Sequence, residues 1–120
     1  MLSRCKTYCL LIFLGCYMSC FGQESPKEMI ERANKLFEEK SFVEAEPLMS
    51  KLLSTEKDSK TEYNFKYGVC ALYKYADKTK SLIYLERASK DSKVDPRVFF
   101  YLGKANHLNY LFADALVFYK

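Results

Sequence analysis

From Met29 onward, apolar residues recur at intervals of three and four. Met29, Ile30, Ala33, Leu36 and Phe37 form one such stripe, and Phe42, Ala45, Leu48, Met49, Leu52 and Leu53 form the next. This spacing puts each set on one side of a 3.6-residue helix. Glu28 with Arg32 and Glu31 with Lys35 fall four apart on the polar side, where such pairs contribute about 0.3 kcal/mol each. No segment sustains a period of two, so the pattern predicts an all-α chain without strands.

The helix starts set a longer rhythm. Ser25-Pro26-Lys27-Glu28 has a cap residue, Pro at the first helical position and Glu three after the cap. Ser41 and Ser59 open two further capping boxes, Asp77 precedes a fourth amphipathic run, and Asp95-Pro96 repeats the cap-plus-Pro start for a fifth. A sixth helix is expected after Asn109-Tyr110. Odd-numbered starts recur about every 35 residues, with two helices per unit, which is the period of a helical repeat array. Such hairpins close only where one side chain at the crossing is small. Gly68 and Gly103 on first helices, with Ala45 and Ala115 on second helices, meet that need. Gly inside a helix costs about 1 kcal/mol against Ala, so close packing is the expected reason for it, and Gly103→Leu is expected to destabilise the array strongly.

These residues resemble the tetratricopeptide repeats, whose pattern runs large residue, Leu-Gly, aromatic, then a small Ala with a large residue beyond it. In the third unit Phe99, Leu102-Gly103, Ala115 and Tyr119 take those places, although Asn106 stands where an aromatic is usual. The second unit has Tyr67-Gly68, Leu85 and Ala88, with Ser81 in place of the small Ala and one extra residue before it. The first is more degenerate, with Ala33 for Gly, while Ala45 and Met49 keep the spacing. The resemblance implies antiparallel helix-hairpin repeats, a TPR-like α-solenoid of two and a half to three units over residues 23–120, the third breaking off in mid-pattern at Lys120. It implies packing roles for Ala33, Ala45, Gly68, Ala88, Leu102, Gly103, Ala115 and Tyr119. It also implies a concave face of Asn34, Phe37, Glu38, Val69, Leu72, Tyr73, Lys104, His107 and Leu108. The competing reading places Phe37, Leu72 and Leu108 in the core.

Residues 1–22 read differently. Arg4 and Lys6 precede an apolar run from Tyr8 to Met18 and then small residues, the layout of a secretory signal peptide. The run is shorter than the roughly 20 residues that span a bilayer. Cleavage is expected after Gly22, leaving Gln23 first. Acylation at Cys20 or Cys16 is the lipoprotein alternative, without the Leu-plus-small context that such signals favour. Removing the leader takes four of the five cysteines and leaves Cys70 alone, so the mature segment has no partner for an intrachain disulfide. It also removes two of the 19 basic residues, leaving 17 against 15 acidic ones. That balance is too mild to suggest nucleic acid. Lys57, Lys60, Lys78, Lys80, Lys90 and Lys93 alternate with Asp and Ser and read as solvated connections.

Catalytic motifs are sparse. His107 is the single histidine, without a paired Cys at metal-ligand spacing, and no Gly-rich phosphate loop is present. Cys70 and His107 form the one nucleophile–base combination to consider. A small buried hydrophobe is the more ordinary role for a Cys in an apolar helix. The expectation is therefore a non-enzyme with no cofactor and no metal. Ten Tyr and nine Phe mostly fill helix contacts, and the concave face they border suits a protein or peptide segment.

The stretches "NFKYGVCALY" and "FFYLGKANHLNY", behind a leader ending in "FGQ", look like the start of Bacteroidetes envelope proteins. In these an N-terminal repeat region precedes a β-propeller and an OmpA-type domain. Some of them belong to the gliding and type IX secretion machinery. The likeness implies an exported interaction scaffold at the periplasm or outer membrane, binding peptidoglycan only through a downstream OmpA-like domain. A SusD-like nutrient-binding lipoprotein is the alternative, and an enzyme domain following Lys120 is a third. A pyroglutamate at Gln23 distinguishes the first from a lipid-modified Cys.

Overall fold

The computed structural model of the chain describes residues 22–56, 60–109 and 117–119. Five helices account for most of them: α1 (Pro26–Glu38), α2 (Phe42–Thr55), α3 (Lys60–Lys74), α4 (Thr79–Ser89) and α5 (Arg97–Leu108). Residues 117–119 are also helical, and no strand occurs among the described residues. Each helix packs on the next, and α3 also meets α5, so α1–α2 and α3–α4 are successive hairpins and α5 opens a third. The fold is an all-α helical repeat.

Side-chain acceptors serve the starts of α1, α4 and α5, but only Ser25 is itself the N-cap; the N-caps of α4 and α5 fall on Lys78 and Pro96, one residue after the expected Asp77 and Asp95. Ser25 and Glu28 form the reciprocal capping box, Ser25 N–H reaching Glu28 Oε2 at 3.0 Å and Glu28 N–H reaching Ser25 Oγ at 3.3 Å. Losing such a cap costs about 1 kcal/mol. Asp77 accepts the N–H of Thr79 at 2.9 Å, and Asp95 accepts that of Arg97 at 2.9 Å, satisfying donors that the helix itself leaves open. Ser59 lies outside the described residues. Ser41 makes no side-chain cap. Its N–H instead closes α1, donating to Leu36 O at 2.9 Å while Lys40 N–H donates to Phe37 O at 3.0 Å. This is the Schellman arrangement, and Lys40 takes its left-handed position at φ 60°. Glu28, being held by Ser25, does not pair with Arg32, which turns to Glu24 at 3.1 Å. Glu31 faces Lys27, and Lys35 faces Glu39, so neither expected pair on this helix forms.

The core runs along the seams between helices. Met29, Ala33 and Phe37 of α1 meet Phe42, Ala45, Met49 and Leu52 of α2, and Phe65, Tyr67, Val69, Cys70 and Leu72 continue it through α3. Leu85 and Ala88 of α4 and Val98, Leu102 and Ala105 of α5 complete it. A fully buried Leu or Phe contributes about 2 kcal/mol. Six expected packing residues, Ala33, Ala45, Gly68, Ala88, Leu102 and Gly103, are buried. Ala115 lies outside the described residues. Tyr119 rests on Gly103, yet its side chain is 46% exposed. Val98, not Phe99, is the buried residue of the first turn of α5, and Phe99 is 45% exposed.

Two polar substitutions in the repeat pattern have local explanations. Ser81, fully buried, donates its hydroxyl to Gly68 O at 2.7 Å, tying α4 to α3 where an Ala offers contact alone. Asn106, also buried, donates to Leu102 O at 3.0 Å within its own helix. Pro47 stands on the exposed side of α2, where its ring removes the N–H that Val43 O would otherwise accept. No helix among the described residues is long and apolar enough to cross a membrane.

Candidate functional site

An open groove of about 720 Å³ lies where the end of α1, the start of α3 and the α4–α5 connection meet. Its formation follows from the caps. Asp91 and Asp95 end and restart helices, so their carboxylates are fixed by backbone and side-chain donors. Asp91 accepts from Lys93 N–H at 2.9 Å and from Thr61 Oγ1 at 2.8 Å, a bond that joins the loop to α3. The Lys93 N–H first, and the Thr61 hydroxyl second, hold this carboxyl below its ordinary range. Asp95 receives a fork from Arg97, with Nε and Nη2 at 3.0 and 2.7 Å from Oδ2. The pairing lowers the Asp95 pKa and raises that of Arg97.

The guanidinium of Arg97 lies over two phenyl rings, 5.9 Å from Phe37 and 5.8 Å from Phe65, and Glu38 stands 3.7 Å from Nη2. Lys66 reaches across from α3 to Asn34 Oδ1 on α1 at 2.7 Å and also pairs with Glu62. The walls therefore carry cations and carboxylates already oriented by one another. Exposed pairs of this kind add little stability, typically below about 1 kcal/mol. Their effect is to fix the shape and charge pattern of the surface.

The nine residues expected on the concave face divide four ways. Phe37, Val69 and Leu72 are buried among the helices and present no surface, so the core reading holds for Phe37 and Leu72. Asn34 and Glu38 belong to the groove region through Lys66 and Arg97. Tyr73 and Lys104 form a second group further along α3 and α5. There the Lys104 ammonium donates to Tyr73 Oη at 2.9 Å and lies 4.6 Å from its ring, while Phe42 stacks on Tyr73 at 4.7 Å. His107 and Leu108 are exposed at the end of α5. Thr61, Glu62, Lys66, Asp91 and Arg97 were not expected on this surface. The Asp95-Pro96-Arg97 start was the available signal, since a capping Asp two residues before an Arg favours a fork.

A second polar cluster has no counterpart in the sequence reading. Glu46 is 4% exposed in α2, accepts Tyr75 Oη at 2.7 Å and pairs with Lys74. Burial pushes its carboxyl up, but the hydrogen bonds from Lys74 and Tyr75 and the Lys74 charge outweigh it, and the net shift is downward. Lys80 lies over the rings of Tyr67 and Tyr75 at 5.6 and 4.9 Å. Through Lys74 and Tyr75, Glu46 ties α2 to the end of α3 and the first residue of the turn that follows it. Cys70 is fully buried beside it, and desolvation pushes its thiol up to about 12, so it stays protonated at neutral pH. Among the described residues no group of three His, Cys, Asp or Glu side chains is placed to hold a metal ion.

Comparison with known proteins finds no matching family model, no matching curated protein and no matching solved structure.

Proposed function

We propose that this chain is a non-catalytic interaction scaffold of the bacterial cell envelope, whose groove holds an extended segment of a partner protein. The observation that carries this reading is the groove of about 720 Å³ with walls drawn from α1, α3 and α5 and the loop before α5. Its charges are held in place before a partner arrives, which lowers the ordering cost of binding. Groups of both signs and a guanidinium seated on aromatic rings suit peptide backbone and mixed side chains better than a uniform polyanion. The leader-like first 22 residues and the likeness of "NFKYGVCALY" and "FFYLGKANHLNY" to OmpA-type envelope proteins support export and a place beside gliding or type IX secretion components.

The test is a photo-crosslinking amino acid placed at Glu38 or Thr61 in cells that express the full chain. The expected result is one or a few envelope proteins captured at both positions and absent at Lys51, on the exposed side of α2. The same captured proteins at all three positions would remove the groove from consideration. Mass spectrometry of the mature N-terminus, with Gln23 first as the expected result, tests the export half.

A further inference from the structure

A second surface lies on the α1–α2 hairpin, the first of the array. Arg32 and Leu36 of α1 and Glu44, Pro47 and Leu48 of α2 line a shallow groove of about 320 Å³. Among the described residues this hairpin has a neighbouring helix on one side only, α3. Leu36 and Leu48 are half-buried and Pro47 is exposed, so apolar surface forms the centre of the patch. A cation stands on one wall and an anion on the other. Arg32 is held only by Glu24, at 3.1 Å, in a pair whose members are 56% and 31% exposed. A pair that open exchanges partners at little cost. Glu44 is exposed and pairs with no described residue.

We infer that this groove is a self-association surface and that its occupant is the same groove of a second copy. The argument is charge complementarity under two-fold symmetry. In an isologous contact each residue of one copy meets its opposite number in the other. A rotation that places α1 of one copy along α2 of its partner sets Arg32 against Glu44 twice, with Leu36, Pro47 and Leu48 enclosed between the two ion pairs. A patch with one cation, one anion and an apolar centre is complementary to itself, whereas a patch of one sign repels its own copy. This surface shares no lining residue with the groove at α3 and α5.

The experiment places a photo-crosslinking residue at Leu48 in the full chain and reads the covalent product in cells. The expected product is two copies of this chain, identified by mass spectrometry, with none from the same probe at Ile83 on the exposed side of α4. Arg32→Glu and Glu44→Arg each reduce the Leu48 product to background, and the double exchange restores it. Restoration also shows that the single variants had not simply unfolded. The inference is overturned by any of three results: no homodimer at Leu48 in the otherwise unchanged chain, single reversals that leave the yield intact, or a double exchange that stays at background. A different protein captured at Leu48 in place of the copy overturns it as well.

Discussion

Gly68 and Gly103 occupy equivalent places on first helices, and in both a following element comes too close for a β-carbon. A Cβ on Gly68 meets Leu85 Cγ at 2.8 Å and the Leu85 backbone nitrogen at 3.1 Å. A Cβ on Gly103 meets Tyr119 Cε1 at 2.7 Å. By distance alone the second contact is the tighter one. What differs is whether the neighbour can yield. Leu85 is fully buried, and α4 is also tied to Gly68 O through the Ser81 hydroxyl. Tyr119 presents the far end of a half-exposed ring, which turns aside by side-chain rotation. Tolerance to substitution is set by the mobility of what stands opposite, and the sequence pattern is blind to that.

The sharpest way to break this comparison is to put the same large residue at both places. Gly68→Leu is expected to abolish cooperative unfolding, since overpacking against fixed backbone exceeds about 3 kcal/mol. Gly103→Leu, which the sequence alone marks as severe, should retain a measurable thermal transition by circular dichroism. Equal losses in the two variants would sink the argument. Next in size, Glu46→Ala strips the carboxylate from the Lys74 and Tyr75 side chains at the same inner joint. Because the Lys74 left behind reaches solvent, the cost is that of the lost hydrogen bonds to a buried carboxylate, about 2 kcal/mol.

The Glu46 effect carries a pH signature. The folded carboxyl titrates below its ordinary value of 4.5, so its stabilisation is present above that value and disappears as pH falls through the lower, folded one. Denaturant melts of wild type and Glu46→Ala should therefore converge in acid, and a constant gap from pH 7 to pH 3 would contradict the assignment. Smaller still are the alanine variants. Gly68→Ala gains about 1 kcal/mol in helix propensity but loses about 2 kcal/mol to the fixed contact, a net destabilisation. Gly103→Ala has the same propensity gain, offset by the cost of turning the Tyr119 ring aside, and should stay within about 0.5 kcal/mol of wild type. Smallest, and opposite in sign, is Lys40→Gly at the α1–α2 turn, expected to stabilise by about 0.5 kcal/mol by relieving a left-handed non-glycine residue. A fall in melting temperature there would show that the turn stores no strain.

Much of this fold was legible because its determinants are local. The apolar spacing gives α1 and α2, the Ser25 cap and the Asp77 and Asp95 turns before α4 and α5 are spelled in neighbouring residues, and the period exposes the hairpins. The misreadings share a physical cause. Ser41 looks like a cap, but the preceding residue is Lys40, whose left-handed backbone no propensity announces, and that geometry commits the Ser41 N–H to α1. Glu28 was assigned twice, to a cap and to Arg32, and the backbone donor prevailed. For the candidate site, Asn34 and Glu38 were placed from the repeat register alone. Thr61 and Asp91 are 30 residues apart and meet only because α3 and α4 fold back on each other as one hairpin. Glu46 reads as one more exposed helix charge until α3 and the α3–α4 turn close over it.

Cys70 offers a consequence of a practical kind. It is the one free cysteine among the described residues, it is fully buried on α3 beside Glu46 of α2, and its thiol stays protonated. A reagent that attacks thiolates can reach it only during moments when α3 lifts from its neighbours. When reclosing outpaces the chemistry, the rate of modification at this position counts how often that joint is open. The chain thus carries its own internal clock for opening. Peptide mapping of a timed alkylation would read that clock, with and without a partner in the groove.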